Sequence, residues 1–481
     1  MRAAAAAVIA AALAAPAGAQ QPAPAAPGGM SAAASQSLSV PSVLPGAVQG
    51  GVPRGQAGPD EVALTLQDAI ARGLRANLAA ILGSSAVEAA GGAEREARSA
   101  LLPQLSGTVS AVREKINLAA FGFSGFPGFD IPLLVGPFNV FDARVRVDQA
   151  VLDLRALHRA RSASQALEAA RQDEHGTRDL VVLACAGLYL QALAGEARIV
   201  AARAELDTAE ALLGLARDRR ASGLGAGIEV LRADVQAQAV RQRLIVATQD
   251  AAKQKLALAR AIGLPIGQRF RLADTMPFAA GLPMSVDEAV ARAWQLRPDL
   301  LAARARVASA EEAVSAARGE GLPSIGVSAD YGAIGNTVPG ALATYTLTAA
   351  LRVSLFEGGR VQARTRQAEV RLQDERARLE DLRARTYYEV QSAFLDLQAA
   401  EDRVKVAEGA LSLAREQLAQ SRDRFAAGVA DNVEVVQSQE ALATAEENRI
   451  ASLYAHNVAR FSLARALGGV ETSYESLVRG R

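Results

Sequence analysis

Few side chains in this sequence stand at spacings that support covalent chemistry. Gly223-x-Gly225-x-Gly227 is the nearest approach to a phosphate loop, but its later repeat keeps one of the three glycines and no strand pattern precedes it. His158, His175 and His456 have no metal-ligand spacing among themselves and are expected on solvated faces. Cys185 is the sole cysteine, so it has no disulfide partner, and it falls on an apolar helical stripe as a small buried hydrophobe. No GxSxG elbow, HExxH helix or Cys/His pair occurs, and most carboxylates scatter along helical patterns as solvated or i,i+4 charges. The expectation is a protein that is not an enzyme and needs no cofactor or metal. Two charged groups stand out by position instead. Asp142, Arg144, Arg146 and Asp148 occupy every second place in one stretch, and Glu229 and Glu434 open two helical patterns 205 positions apart. An acid in a first turn is favoured by the helix dipole whatever else it does.

The elements that carry these groups occur twice. RDRRASGLGAGIEVLRAD, from Arg217 to Asp234, returns as RDRFAAGVADNVEVVQSQ, from Arg422 to Gln439. In both, a helical pattern stops at a glycine that accepts positive φ, and a second helix begins a few residues on. Each stretch is the tip of a helical hairpin, at about 221–228 and 426–433. The two halves also open alike, at Thr65 and Ser285, and each first helix ends on Leu-Pro, at Leu102-Pro103 and Leu322-Pro323. The organisation expected is a signal peptide at 1–19, a disordered Pro/Ala/Gly-rich segment at 20–61, a first repeat at 62–264, a linker at 265–283, a second repeat at 284–469 and a tail at 470–481. Arg2, the apolar run Ala3–Ala15 and Ala17-Gly18-Ala19 are the signal's three parts. A formal net charge of +1 and 4% aromatic residues give no field or stacking surface for nucleic acid.

After each Leu-Pro the period changes from helical to twofold. Four strands are predicted, at about 104–114, 141–152, 324–333 and 342–356, each with one apolar and one polar face. The first pair is joined by a loop from Ile116 to Val140 bearing Phe121, Phe123, Phe126, Phe129 and Phe138, which reads as a rim or interfacial anchor. A long helix follows each pair, at about 155–220 and 359–425. In the second, Val390, Leu397, Val404, Leu411, Leu418 and Phe425 are spaced by seven, with Ala393, Ala400, Ala407 and Ala414 three positions on. That is a coiled-coil seam. Shorter helices of about 35 residues flank each long one, so two laid end to end match a rod of about 100 Å.

Four strands cannot close a transmembrane barrel, whose smallest natural form has eight. An exported chain with such strands must complete the barrel with further copies, since only helices and closed barrels satisfy the backbone in lipid. The apolar strand face would meet lipid, and Asp142, Arg144, Arg146 and Asp148 would face a water-filled lumen.

The duplication, the Leu-Pro strand entries, the VSLFEGGR segment (Val353 to Arg360) and the paired tips resemble the outer membrane efflux protein (TolC-like) family, over about Glu61 to Gly469. The resemblance implies a mainly α fold with a membrane β-barrel: two repeats of helix–strand–strand–long helix–helix, assembled as a homotrimer with a twelve-stranded β-barrel and a twelve-helix α-barrel. It implies an outer-membrane conduit reaching into the periplasm, for drugs, metals or secreted proteins. Its partners would be a periplasmic adaptor and an inner-membrane transporter that supplies the energy. Gly223, Leu224, Gly428 and Val429 would dock the adaptor. Glu434 matches an acidic ring at the closed entrance, and Glu229 is its counterpart in the first copy. The second ring position is neutral Gln437, the aromatic gate position is Phe425 and the basic position is Ala430, so the family's tyrosine hydroxyl and basic latch are missing. Three Glu434 carboxylates near a narrow axis would attract cations. The alternative is a periplasmic coiled-coil scaffold or adaptor without a pore, against which the four alternating strands and the twofold repeat argue.

Overall fold

The computed structural model describes residues 48, 50–122, 132–223, 225–279, 284–471 and 474. The signal segment, most of the Pro/Ala/Gly-rich segment, Phe123, Phe126, Phe129, Leu224 and most of the tail lie outside the described residues. In chain order the elements are β1 (Val62–Leu64), α1 (Leu66–Ala76), α2 (Leu78–Ser99), β2 (Gln104–Asn117), β3 (Leu134–Leu152), α3 (Leu154–Ala221) and α4 (Gly227–Ala261). They continue with β4 (Phe270–Leu272), α5 (Val286–Leu296), α6 (Pro298–Gly319), β5 (Ser324–Gly335), β6 (Leu342–Arg352), α7 (Arg360–Ala426) and α8 (Asn432–Ala466). The fold is mainly helical, with one open sheet at an end.

Thr65 and Ser285 cap α1 and α5 through reciprocal boxes with Asp68 and Glu288. Neither opening helix runs on as a single rod of about 35 residues, however. Each breaks after 11 residues. In the first half Asn77 is the break: its Oδ1 accepts from Ala79 N at 3.0 Å, and its Nδ2 donates to Val48 O at 2.7 Å and Ala261 O at 3.0 Å. In the second, Pro298 opens α6 and forces Arg297 into extended backbone. Arg297 is buried and bonds Asp299 at 2.6 Å and Glu389 at 2.7 Å, tying the break to α7.

Towards the sheet, α3 packs on α2 and α6, and α6 on α7; towards the tips, α3 packs on α4 and α8, and α8 on α7. All ten seam residues of α7 are buried, at 8% exposure or less. Burying each Leu stabilises the fold by about 1.5–3 kcal/mol, and the intervening alanines let the helices approach. The middle of α3 is apolar enough by composition to cross a bilayer, but 61% of that window is buried. It packs against α1, α8 and a short parallel pair, β1 with β4, which three-residue strands gave no alternation to reveal. Cys185 sits in this core, its thiol pushed up to about 12 by burial.

The sheet runs β2-β3-β5-β6, antiparallel throughout, with β2 and β6 at its edges. The span expected as a loop from Ile116 is partly strand: β2 and β3 pair as far as Asn117 with Leu134. Gly136-Pro137 reads as a turn in sequence. It is tolerated in β3 because that end extends past β5, whose pairing stops at Phe141, so the missing N–H of Pro137 is not needed. β6 ends at Arg352, short of 356, before Gly358 and Gly359 turn the chain at positive φ.

Trp294 is 41% exposed, with its indole N–H 3.4 Å from Arg383 O. One expectation fails on burial. His456 is fully buried rather than solvated: Nε2 lies 2.9 Å from Ala279 O, and its ring stands 4.9 Å from that of Phe278. The reason is tertiary, since the chain from 277 to 279 folds back over α8. Of the other two, His158 meets Glu312 at 2.6 Å and His175 is exposed. Burial holds the His456 pKa below its usual value, helped by Arg460 and opposed by the Ala279 hydrogen bond and Glu401. The unfolded chain therefore binds the extra proton first, at about 6.5, and the stability contributed by the neutral ring is present above that pH and lost as pH falls. Between about pH 7 and 5, the drop in thermal stability should be shallower in His456→Gln than in the unaltered protein; equal slopes would contradict this.

Candidate functional site: hairpin tips and sheet faces

Both hairpin tips are built on one glycine in the left-handed region: Gly223 at φ 75° and Gly428 at φ 74°. There a Cβ would be strained, and the turn closes the helix by backbone bonds. Gly223 N donates to Arg220 O at 3.1 Å, and Gly428 N to Phe425 O at 3.0 Å. Val429 projects beyond its tip, 72% exposed. Asp431 then caps α8, accepting from Val433 N at 3.1 Å and Glu434 N at 3.4 Å.

Glu434 lies in the first turn of α8, half-exposed, with Oε1 3.4 Å from Arg424 Nε and 3.4 Å from Ser421 Oγ. The basic partner that Ala430 cannot supply thus comes from Arg424 in α7. Such an exposed pair is weak, about 0–1 kcal/mol, so the carboxylate stays available. Gln437 is exposed one turn on. Glu229 differs: Oε2 is buried without a hydrogen-bond partner, while its backbone carbonyl accepts from Asn432 Nδ2 at 2.9 Å.

Phe425, the aromatic gate position, is 1% exposed and packs with Leu212, Leu418 and Val435 between the two hairpins. Arg219 of α3 covers it. The guanidinium carbon stands 4.7 Å from the ring centroid, and Nη1 donates to Phe425 O at 2.6 Å. Arg219 therefore ties the first hairpin to the second, a role sequence reasoning did not assign. The signal was present, because Arg219 and Arg424 occupy matching places in the repeated Arg-Asp-Arg triplet. Repetition marks position, and it does not tell which neighbour a side chain reaches.

At the other end, Asp142, Arg144, Arg146 and Asp148 share one face of β3. Arg144 bonds Asp142 at 2.5 Å and reaches across to Asp330 of β5 at 3.1 Å; Arg146 bonds Asp148 at 2.9 Å. Gly332 faces Arg144 in register, where a Cβ would lie 2.5 Å from the arginine's own Cβ. That glycine opens the path to Asp330. Ser106, Thr108 and Ser110 of β2 and Thr344, Thr346 and Thr348 of β6 continue the polar face. The opposite face is apolar and uncovered: Leu105, Val109, Val145, Tyr331, Tyr345, Leu347 and Leu351 are 49–85% exposed. Among the described residues, no group of three His, Cys, Asp or Glu side chains could hold a metal ion.

Known proteins share this arrangement. The chain is 30% identical over 243 residues to the pyoverdine export outer membrane protein OpmQ of Pseudomonas putida, covering 49% of this chain and 50% of that one. It is 27% identical over 282 residues to the toluene efflux pump outer membrane protein TtgF of Pseudomonas putida, covering 57% and 52%. The chain thus spans about half the length of the relatives it matches. The solved structure of the outer membrane protein VceC from Vibrio cholerae has the same fold, with a TM-score of 0.71 at 21% identity over 84% of this chain and 96% of that one. So does the Neisseria gonorrhoeae MtrE outer membrane channel in its open state, at 0.72 and 17% over 87% and 95%. The sequence profile of the outer membrane efflux proteins fits residues 75–264 and 289–469, one match on each hairpin-bearing half, and the chain belongs to that family.

Proposed function

We propose that three copies of this chain form a conduit through the outer membrane, continued into the periplasm, as the exit duct of a tripartite efflux system. The observation that carries this reading is the sheet. It has four strands, an uncovered apolar face, a face of paired charges and threonines, and one unpaired edge on each side. In lipid such edges must be closed. Two further copies would supply eight more strands and a closed barrel, the number three resting on the family resemblance. The apolar face then meets lipid, and Asp142, Arg144, Arg146 and Asp148 line the water-filled bore. The leader at 1–19 would direct export.

The long hairpins carry the bore away from the membrane, and their tips form its inner entrance. Gly223, Leu224, Gly428 and Val429 dock a periplasmic adaptor, and an inner-membrane transporter drives the cargo. The conduit itself is passive. Relatives named for pyoverdine export and toluene efflux support small molecules as cargo, in preference to secreted proteins. Glu434 supplies an acidic ring at the entrance, Glu229 a weaker one, and the Arg219–Phe425 contact holds the two hairpins of a chain together in place of the family's latch.

Planar-bilayer currents test both parts. The unaltered protein should give discrete steps with a cation preference, and Glu434→Gln should reduce that preference about twofold or more; an unchanged selectivity would remove Glu434 from the entrance. Arg219→Met keeps the stem over Phe425 but deletes a charged hydrogen bond, which contributes about 1.5–3 kcal/mol. Tenfold per 1.4 kcal/mol gives an open probability raised about tenfold or more. No rise would show that the contact is packing without a gating part.

A further inference from the structure

Where the helices approach the sheet, arginines outnumber the carboxylates that they meet. Glu320 closes α6, where the helix dipole disfavours an acid, and its side chain is only 5% exposed. Arginines from two other helices hold it there. Arg159 Nη2 of α3 donates to Glu320 Oε1 at 3.1 Å, and Arg364 Nη1 of α7 donates to the two carboxylate oxygens at 2.9 and 2.6 Å. Arg360 approaches the same group at 3.5 Å. One negative charge is thus shared among three guanidinium groups, of which Arg360 alone has a second acid, Glu357. Two turns further along α7, Arg371 is exposed and makes no ion pair or hydrogen bond among the described residues.

Arg159, Arg364 and Arg371 border a hollow of about 360 Å³ between α3, α6 and α7, and Glu320 is the one carboxylate that lines it. That volume falls in the range of small-molecule sites, about 300–1,000 Å³. We infer that this hollow binds a small organic oxyanion, a carboxylate, phosphate ester or sulfonate carried on an apolar body. The guanidinium fork matches the paired oxygens of such a group. Arg159 and Arg364 are 56% and 47% exposed, so their remaining donors are open to an occupant. Ala163 and Ala166 of α3 and Ala313, Ala316 and Ala317 of α6 form the rest of the wall and receive the apolar part. The excess charge is local. The adjoining hollow, away from the sheet, is lined by Arg306, Arg371 and Arg378 against Asp173, Asp374 and Glu375, and so is balanced. The site lies within one chain and does not depend on the conduit reading.

Naphthalene-2-sulfonate is a direct probe. Equilibrium dialysis of the radiolabelled compound against the full-length protein in nanodiscs of zwitterionic lipid, corrected by empty nanodiscs, should show saturable binding of one equivalent per chain. Arg371→Gln removes a charge that no carboxylate of the chain holds, so the fold is kept, and it should weaken binding about tenfold or more. Arg378→Gln, outside the hollow and paired with Glu375 at 2.6 Å, should leave binding unchanged. Naphthalene-2-sulfonamide has the same body without the charge and should bind about tenfold more weakly or worse. Inorganic phosphate has the charge without the body and should not displace the probe at equal concentration. The proposal would be overturned by absence of saturable binding, by equal binding in Arg371→Gln, or by an equal loss in Arg378→Gln. Equal affinity for the sulfonamide, or displacement by phosphate, would overturn it as well.

Discussion

A β-strand in hydrocarbon must place every backbone N–H and C=O on another strand, and this sheet leaves two rows of them open. β3 and β5 are paired on both sides, whereas β2 and β6 each have one neighbour within the chain. The open edges border an apolar face on which Val109 is 85% and Tyr345 80% exposed. Water would penalise that face and lipid would penalise those edges. In the proposed assembly both costs vanish together, because further copies extend the sheet until it closes and lipid covers its outer side. The charges of β3 then have a reason to be paired laterally: Arg144 held by Asp142 and Asp330 can line a bore without presenting a bare cation to it.

In the proposed assembly the helices answer a different constraint, that of carrying a hollow shape far from the sheet. Long straight helices lack a single central core, so α3 and α7 are stabilised by narrow seams to their neighbours. Alternation of Leu or Val with Ala along α7 keeps those seams close. Such a wall is locally stable yet holds its hairpins to one another by few contacts near the tips. Arg219 on Phe425 and Asn432 on the Glu229 carbonyl are contacts of this kind.

Much of the architecture was legible because it rests on period. The helical pattern at 359–425 placed α7 within a residue of its observed ends, its second half marked by the seam spaced by seven, and the twofold alternation after Pro103 and Pro323 located the four strands. Capping at Thr65 and Ser285 was legible for the same local reason. What escaped depends on contacts between distant segments. Asn77 breaks a helix by bonding Val48 and Ala261, His456 is buried by the chain at 277–279, and Arg219 acts on a residue 206 positions away. Only the break at Pro298 had a local signal. The strand extension to Leu134 was hidden by Gly136-Pro137, whose turn chemistry is overridden at an end of β3 that has a single neighbour.

As a third of a closed barrel, this sheet requires two further copies of the chain. Native mass spectrometry of the particle extracted from outer membranes in mild detergent measures that most directly. A particle of three chains that resists removal from the membrane by salt is expected. A single-chain particle that salt washes off the membrane would contradict it, and would return the exposed sheet to the role of a periplasmic scaffold.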